Sequence, residues 1–386
     1  MKNIRILKSL LIKVNAKVDK DMKMSLAPPY ENLELKRPKT IAEDAENAVK
    51  FLFSNVEFSN QAFSKRFFNA VFKKKDREIL DVCLQEFQKL IFTLFKQIEK
   101  NEQNENEELF NITVGWILAL LPFMEPQDKT SFFVPQKISG TWQLSEYEIE
   151  RIPLTPTYLG TPMLALGLTS KGDAEPLLLF MGTPQPTATG NLLSLWTDFV
   201  PGFCVGELAY TLFAHKQSTL WLEKTSKQTN KKVKVYGKSL GATLSLLTMS
   251  FHRDKISEVH AFCPALPFKK SLGCSHEENP KVCLYFREGD PVFYVGSYLE
   301  KSWQINCIKS EIKQNFFFAH LRVCPAFSGV VIEKLDPEIE QKKPLRKLLT
   351  IGHFFISIPI FIVVTGILSI KAIIYFTKKI FASCCR

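Results

Sequence analysis

The chain has 386 residues, 46% of them hydrophobic and 12% aromatic, enough for one large domain or two ordinary ones with a substantial core, and this excludes disorder as the default. Its formal net charge of +11 is spread over isolated lysines and not gathered into a stripe, so an anionic membrane surface is at least as plausible a partner as nucleic acid; charge alone decides neither, and nucleic acid is not among the partners expected from the whole sequence. Nine cysteines occur without a CxxC pair or zinc-ligand spacing, so no metal centre and no cofactor is expected, and the thiols read as buried residues of a reducing compartment.

The first twenty residues, MKNIRILKSLLIKVNAKVDK, are basic, but their only apolar block is Leu10-Leu11-Ile12. A signal-peptide core needs about 7 to 15 apolar residues, so export by the secretory route is not expected. Thr40-Ile-Ala-Glu43 reads as a capping box opening a helix, and helices are expected to dominate 40–124. The clearest is 79–100, where Leu80, Leu84, Phe87, Ile91, Leu94 and Ile98 recur in steps of four and three and form one apolar face. NEQNENEE (101–108) reads as a solvated loop, and ITVGWILALLPFM (112–124) is apolar but too short to span a bilayer. Residues 1–135 are thus expected to form a helical amino-terminal region.

From Gly140 the texture becomes β. TWQLSEYEIERI (141–152) alternates polar with apolar residues, and PMLALGLTS (162–170) is joined through the turn-like KGDAE to PLLLFMG (176–182), continuously apolar as a central strand should be. Helix-like stretches at 205–226 and 241–252 then alternate with KVKVYG (232–237), SEVHAFC (257–263) and KVCLYF (281–286). That order implies an α/β domain, placed at 136–335, with a largely parallel sheet.

Between the strand candidate KVKVY and the helix candidate GATLSLLTM lies Ser239, with Gly237 and Gly241 two positions to either side. A hydroxyl is a poor nucleophile at neutral pH, so an enzyme that uses one exposes it on a sharp turn and supplies a base and an orienting acid. In a strand-turn-helix elbow the acid and then the histidine follow the serine. Asp254 stands too close and Asp336 falls in a charged run, which leaves Asp290, just past a strand in REGDPV. His215 precedes the serine, His252, His260 and His276 precede Asp290, and His353 lies in an apolar run near the carboxyl end, which leaves His320. The plain alternatives are a βα turn at Ser239 and a packed histidine in NFFFAHLRV.

GKSLGA behind a strand, LLLFMGT (177–183) and TDF (197–199) together resemble the class 3 (fungal-type) lipases of the α/β-hydrolase superfamily, over about residues 140–325. The resemblance implies an α/β-hydrolase fold with a mostly parallel central sheet, preceded by the helical region. It also implies Ser239 as nucleophile, His320 as base, Asp290 as acid, Gly237 and Gly241 as shapers of the elbow, and an oxyanion hole formed by the backbone amides of Thr183 and Leu240. The chain departs from the family at Met181, where arginine is frequent, at Ala242, where a third glycine is usual, and at Lys238, where histidine or tyrosine is common and a charge now stands next to the nucleophile. The segment 184–205, rich in turn formers and apolar side chains, is a candidate border of an acyl pocket.

Leu348 to Ile370 is 23 residues without formal charge, bracketed by Arg346-Lys347 and Lys371, long enough to cross a bilayer. A transmembrane helix with a short basic tail is expected over 348–376. Lysines and arginines on both sides give no orientation. The expected function is a membrane-associated serine hydrolase that cleaves carboxylic esters of lipids through an acyl-enzyme, held by a single carboxyl-terminal pass with its catalytic domain in the cytosol. Its expected partners are a lipid ester and a membrane; protein partners are not indicated. Two alternatives stay open: an inert hydrolase-fold scaffold at a membrane, and an acyltransferase using the same triad.

Overall fold

In the computed structural model the described residues are 107–155, 163–183, 191–272, 279–310, 320 and 330–384, with positions within 81–96, and all of them belong to one compact unit, Leu35–Arg386. The amino-terminal run, the Thr40 capping box, residues 101–106, residues 184–190 of the candidate pocket border, and His276 lie outside the described residues.

Among the described residues nine strands form one mixed sheet whose neighbours follow chain order: β1 Ser131–Ile138, β2 Thr141–Pro153, β3 Leu164–Ser170, β4 Leu177–Phe180, β5 Val233–Lys238, β6 Ile256–Phe262, β7 Lys281–Arg287, β8 Gln304–Ser310 and β9 Val330–Leu335. The parallel arrangement expected from the sequence holds across β4 to β8 and fails at the flanks, where β1, β2, β3 and β4 pair antiparallel and β9 returns antiparallel on β8. Linker length explains the amino-terminal flank. Parallel neighbours need a crossover of about a dozen residues, whereas only Ser139 and Gly140 separate β1 from β2, both at positive φ (51° and 85°), as a two-residue hairpin turn of matching twist requires. All four side chains of β4 are fully buried, in keeping with its unbroken apolar sequence.

Helix α1, Glu107–Leu120, is continued by a tight turn at Leu121–Met124 and packs on the sheet face that carries Tyr236 and Phe262, where Gly115 lets it approach. It begins inside the stretch expected to be loop, with Glu107 and Glu108 in its first turn, where carboxylates favour the positive end of the helix dipole. The expected boundary at 135/136 falls inside β1, and α1 shares one core with the sheet. The helix foreseen at 79–100 is helical at its described positions and buries Leu84, Phe87 and Ile91. Its Gln88 side chain bonds both backbone groups of Phe133 in β1, at 3.2 and 2.8 Å.

On the other face lie α2 (Asn191–Asp198), α3 (His215–Thr229, entered through a π turn at Tyr210–Ala214) and α4 (Leu240–Phe251). Trp221 of α3 covers Gly167 of β3, where an added Cβ would stand 2.2 Å from the indole. After β9 come α5 (Pro337–Lys342) and α6 (Pro344–Cys384), a 41-residue helix with Pro359 inside it. By length and composition α6 is apolar enough to cross a membrane over Pro344–Lys378. It also docks on the domain. Arg346 donates to the Phe293 carbonyl (2.8 Å), and Thr350 donates to the Gly296 carbonyl and accepts from its amide (3.2 and 3.0 Å). Further along, His353 donates to the Asp198 carbonyl (2.9 Å), and Trp196 donates to Thr365 (2.9 Å) while stacking on Phe361.

Candidate active site

The carboxyl ends of the parallel strands lie along one edge of the sheet, and the residues singled out in the sequence stand there. Ser239 occupies the single position between β5 and α4, at φ 56° and ψ −123°, a backbone state that costs a non-glycine residue about 1 to 3 kcal/mol and persists only where its surroundings impose it. The surroundings do so. The Ser239 amide donates to the Phe262 carbonyl (2.8 Å), and its carbonyl accepts from the amides of Ala242 and Thr243 (2.9 and 3.2 Å). Gly237 and Gly241 are dictated by contact, since a Cβ on Gly237 would lie 2.2 Å from the Gly241 carbonyl oxygen and one on Gly241 would lie 2.3 Å from the Phe180 oxygen. Ala242 is fully buried without strain of this kind, so a third glycine is not demanded there.

The turn aims the Ser239 hydroxyl at His320, with Oγ and Nε2 3.0 Å apart. On the other side of the ring, Nδ1 stands 3.1 Å from both carboxylate oxygens of Asp290. With the ring proton on Nδ1 and shared with Asp290, Nε2 is left to accept the serine proton. Asp290 is fully buried, follows β7 across the positive-φ Gly289, and is fixed by the Val292 amide donating to Oδ1 (2.9 Å). The histidines set aside in the sequence are engaged elsewhere: His215 with Tyr210, His252 with Thr219, His260 with Glu258 and Tyr285, and His353 with α2.

Thr183 follows Gly182 beyond β4. An added Cβ on Gly182 would lie 2.3 Å from the Lys238 carbonyl, so the Gly-Thr turn is pressed against the residue before Ser239. Thr183 is therefore brought beside the elbow that Leu240, the first residue of α4, helps to form. The Thr183 hydroxyl donates to Oδ2 of Asp198, the last residue of α2. Burial raises the Asp198 carboxyl to about 7, against the lowering effect of that hydrogen bond, and its Oδ1 is buried with no partner among the described residues. Asp198 belongs to the stretch TDF (197–199), where no spacing in the sequence marks a role for it.

Two further residues, Lys238 and Cys263, stand beside this group. Lys238, which the sequence places next to Ser239, is buried. Burial pulls its amine below the usual lysine range, and the Asp290 carboxylate opposes the shift. Cys263, fully buried at φ 51°, hydrogen-bonds Asp290, and burial lifts its thiol well above the ordinary range. Only the register of β5, β6 and β7 brings these residues together, and no spacing in the sequence marks it. Cys263, Asp290 and His320 place one ligand atom each within 4.8 Å, the one such cluster among the described residues. A buried amine and a protonated thiol suit a hydrogen-bonded cluster around Asp290 better than a cation site.

No protein-family model matches the chain, and no curated protein matches it.

Proposed function

We propose that the protein is a serine hydrolase of the class 3 lipase type, with an α/β-hydrolase core, that cleaves carboxylic esters of lipids at a membrane. The observation that carries this reading is the unbroken chain from Ser239 Oγ through His320 to a fully buried Asp290, with the serine on a strained turn. A packed histidine would satisfy its ring nitrogens with any neighbours. Here one nitrogen meets a hydroxyl and the other a carboxylate, the division of labour that nucleophilic acyl transfer needs.

In the reaction, Ser239 Oγ attacks the ester carbonyl carbon while Nε2 of His320 takes its proton, and Asp290 stabilises the imidazolium. The oxyanion is received by the Leu240 amide at the amino end of α4 and by the Thr183 amide, and each such donor contributes about 10²- to 10³-fold in rate. The imidazolium returns its proton to the leaving alcohol, and the acyl-serine is then hydrolysed by water activated at the same nitrogen. The apolar surface of α6 supplies the affinity for lipid.

The test is labelling of the full chain by a fluorophosphonate probe, followed by profiling of lipid ester hydrolysis. Wild type should label and Ser239→Ala should not; equal labelling of the two would remove Ser239 from the role.

A further inference from the structure

Helix α6 has two different sides. Arg346, Thr350, His353, Ser357, Phe361, Val364 and Leu368 recur in steps of three and four, which puts them on one face. Arg346, Ser357, Val364 and Leu368 are buried, and the others make the contacts to α2 and to 293–296 described above. The opposite face carries Leu348, Ile351, Phe355, Ile362 and Ile373, each between 56% and 66% exposed. Water does not favour such a stripe, and its apolar composition asks for a cover.

The length of the docked face decides how that cover is arranged. From Arg346 to Leu368 is 22 residue steps, about 33 Å at a rise of ~1.5 Å per residue, which matches the ~30 Å hydrocarbon layer of a bilayer. A helix crossing the bilayer over this segment while docked would take α2 and the irregular chain at 199–206 to membrane depth. Lipid-exposed irregular backbone does not occur there, because its polar groups have no water to bond. The uninterrupted run after Leu368 is too short to cross instead, being broken by Lys371, Lys378 and Lys379.

The geometry points to α6 as a monotopic element that lies along a membrane surface, its Leu348, Ile351, Phe355, Ile362 and Ile373 face sunk among the acyl chains of an anionic leaflet and its opposite face still docked on the domain. An isolated interfacial helix has a polar face of its own; here the folded domain takes that place. The exposed Lys342, Lys347 and Lys378, near the ends of the apolar segment, suit phosphate headgroups on one side of the bilayer, each adding to binding at low salt. The surface assignment stands apart from the hydrolase reading.

The test is the full chain with a carboxyl-terminal peptide tag, synthesised in the presence of sealed vesicles containing phosphatidylserine. External protease is expected to remove both the domain and the tag from the vesicle-bound fraction without detergent. A tag protected until detergent is added would mean that α6 crosses, and the absence of any vesicle-bound fraction would mean that it meets no membrane; either overturns the inference. Phe355→Ser with Ile362→Ser, both exposed and remote from the docked contacts, should lower vesicle partitioning at least tenfold while Ser239 labelling persists. Partitioning unchanged by the pair would also overturn it, whereas loss of labelling in Ser239→Ala bears on the hydrolase reading alone.

Discussion

Thr183 and Asp198 share a hydrogen bond whose loss should be felt in turnover more than in binding. Thr183→Val keeps the backbone amide but frees the turn, and we expect kcat to fall about tenfold with KM little changed, against the 10²- to 10³-fold cost of losing an oxyanion donor outright. An unchanged kcat would separate this turn from the reaction. Asp198 makes a second prediction. Its carboxyl is raised from 3.8 to about 7, so between those values the native chain keeps a proton that the unfolded chain has released, and stability falls as pH rises through the window. Asp198→Asn abolishes that slope, so its Tm should gain on wild type from pH 5 to pH 8; parallel Tm curves would refute the assignment. At Lys238, replacement by methionine removes a fully buried amine from beside Asp290, and the Tm should fall further than for Lys234→Met on the same strand. At this scale the sequence disclosed Ser239, Asp290 and His320 by order along the chain, because order is a property of sequence. Lys238 and Cys263 act across strands, and nothing in their spacing records which strands are neighbours.

The elbow between β5 and α4 is rigid because two glycines are touched by backbone. Gly241→Ala would push a Cβ to within 2.3 Å of the Phe180 oxygen and 2.9 Å of the Met181 carbonyl carbon, neither of which can swing aside, so loss of folded protein or of probe labelling is expected. Ala242→Gly, one residue further into the helix, should cost only about 1 kcal/mol and keep labelling. If both variants behave alike, close backbone approach is not what selects glycine there. The central strands were readable because continuous apolar runs and intervening helical periods have one common explanation. The flanks were not: β1 contains Pro135 and lacks clean alternation, β9 reads VVIEKL beside a charged run, and the start of α1 is two glutamates that look like loop.

Across the whole molecule, deleting 345–386 would do more than remove an apolar segment, because α6 docks on the domain. That deletion would strip Trp196 of Thr365, Phe293 of Arg346 and α2 of His353, so a lower Tm and weakened labelling are expected, whereas ending the chain after Ser369 should preserve both. Equal behaviour of the two truncations would show that docking contributes nothing to the fold. The docked face was in principle legible, since Thr350, His353, Ser357 and Thr365 recur at helical spacing within an otherwise apolar run; hydropathy averages such residues away. The sheet itself bears on how the protein is born. Because its strands are neighbours in the order in which they are made, each can join an edge that is already there, and no strand has to wait for a later one to fill a gap, as vectorial folding during synthesis favours. Thr183, Ser239, Asp290 and His320 then arrive in that sequence, so the contacts that join Ser239 and Asp290 through the His320 ring close only once residue 320 has emerged.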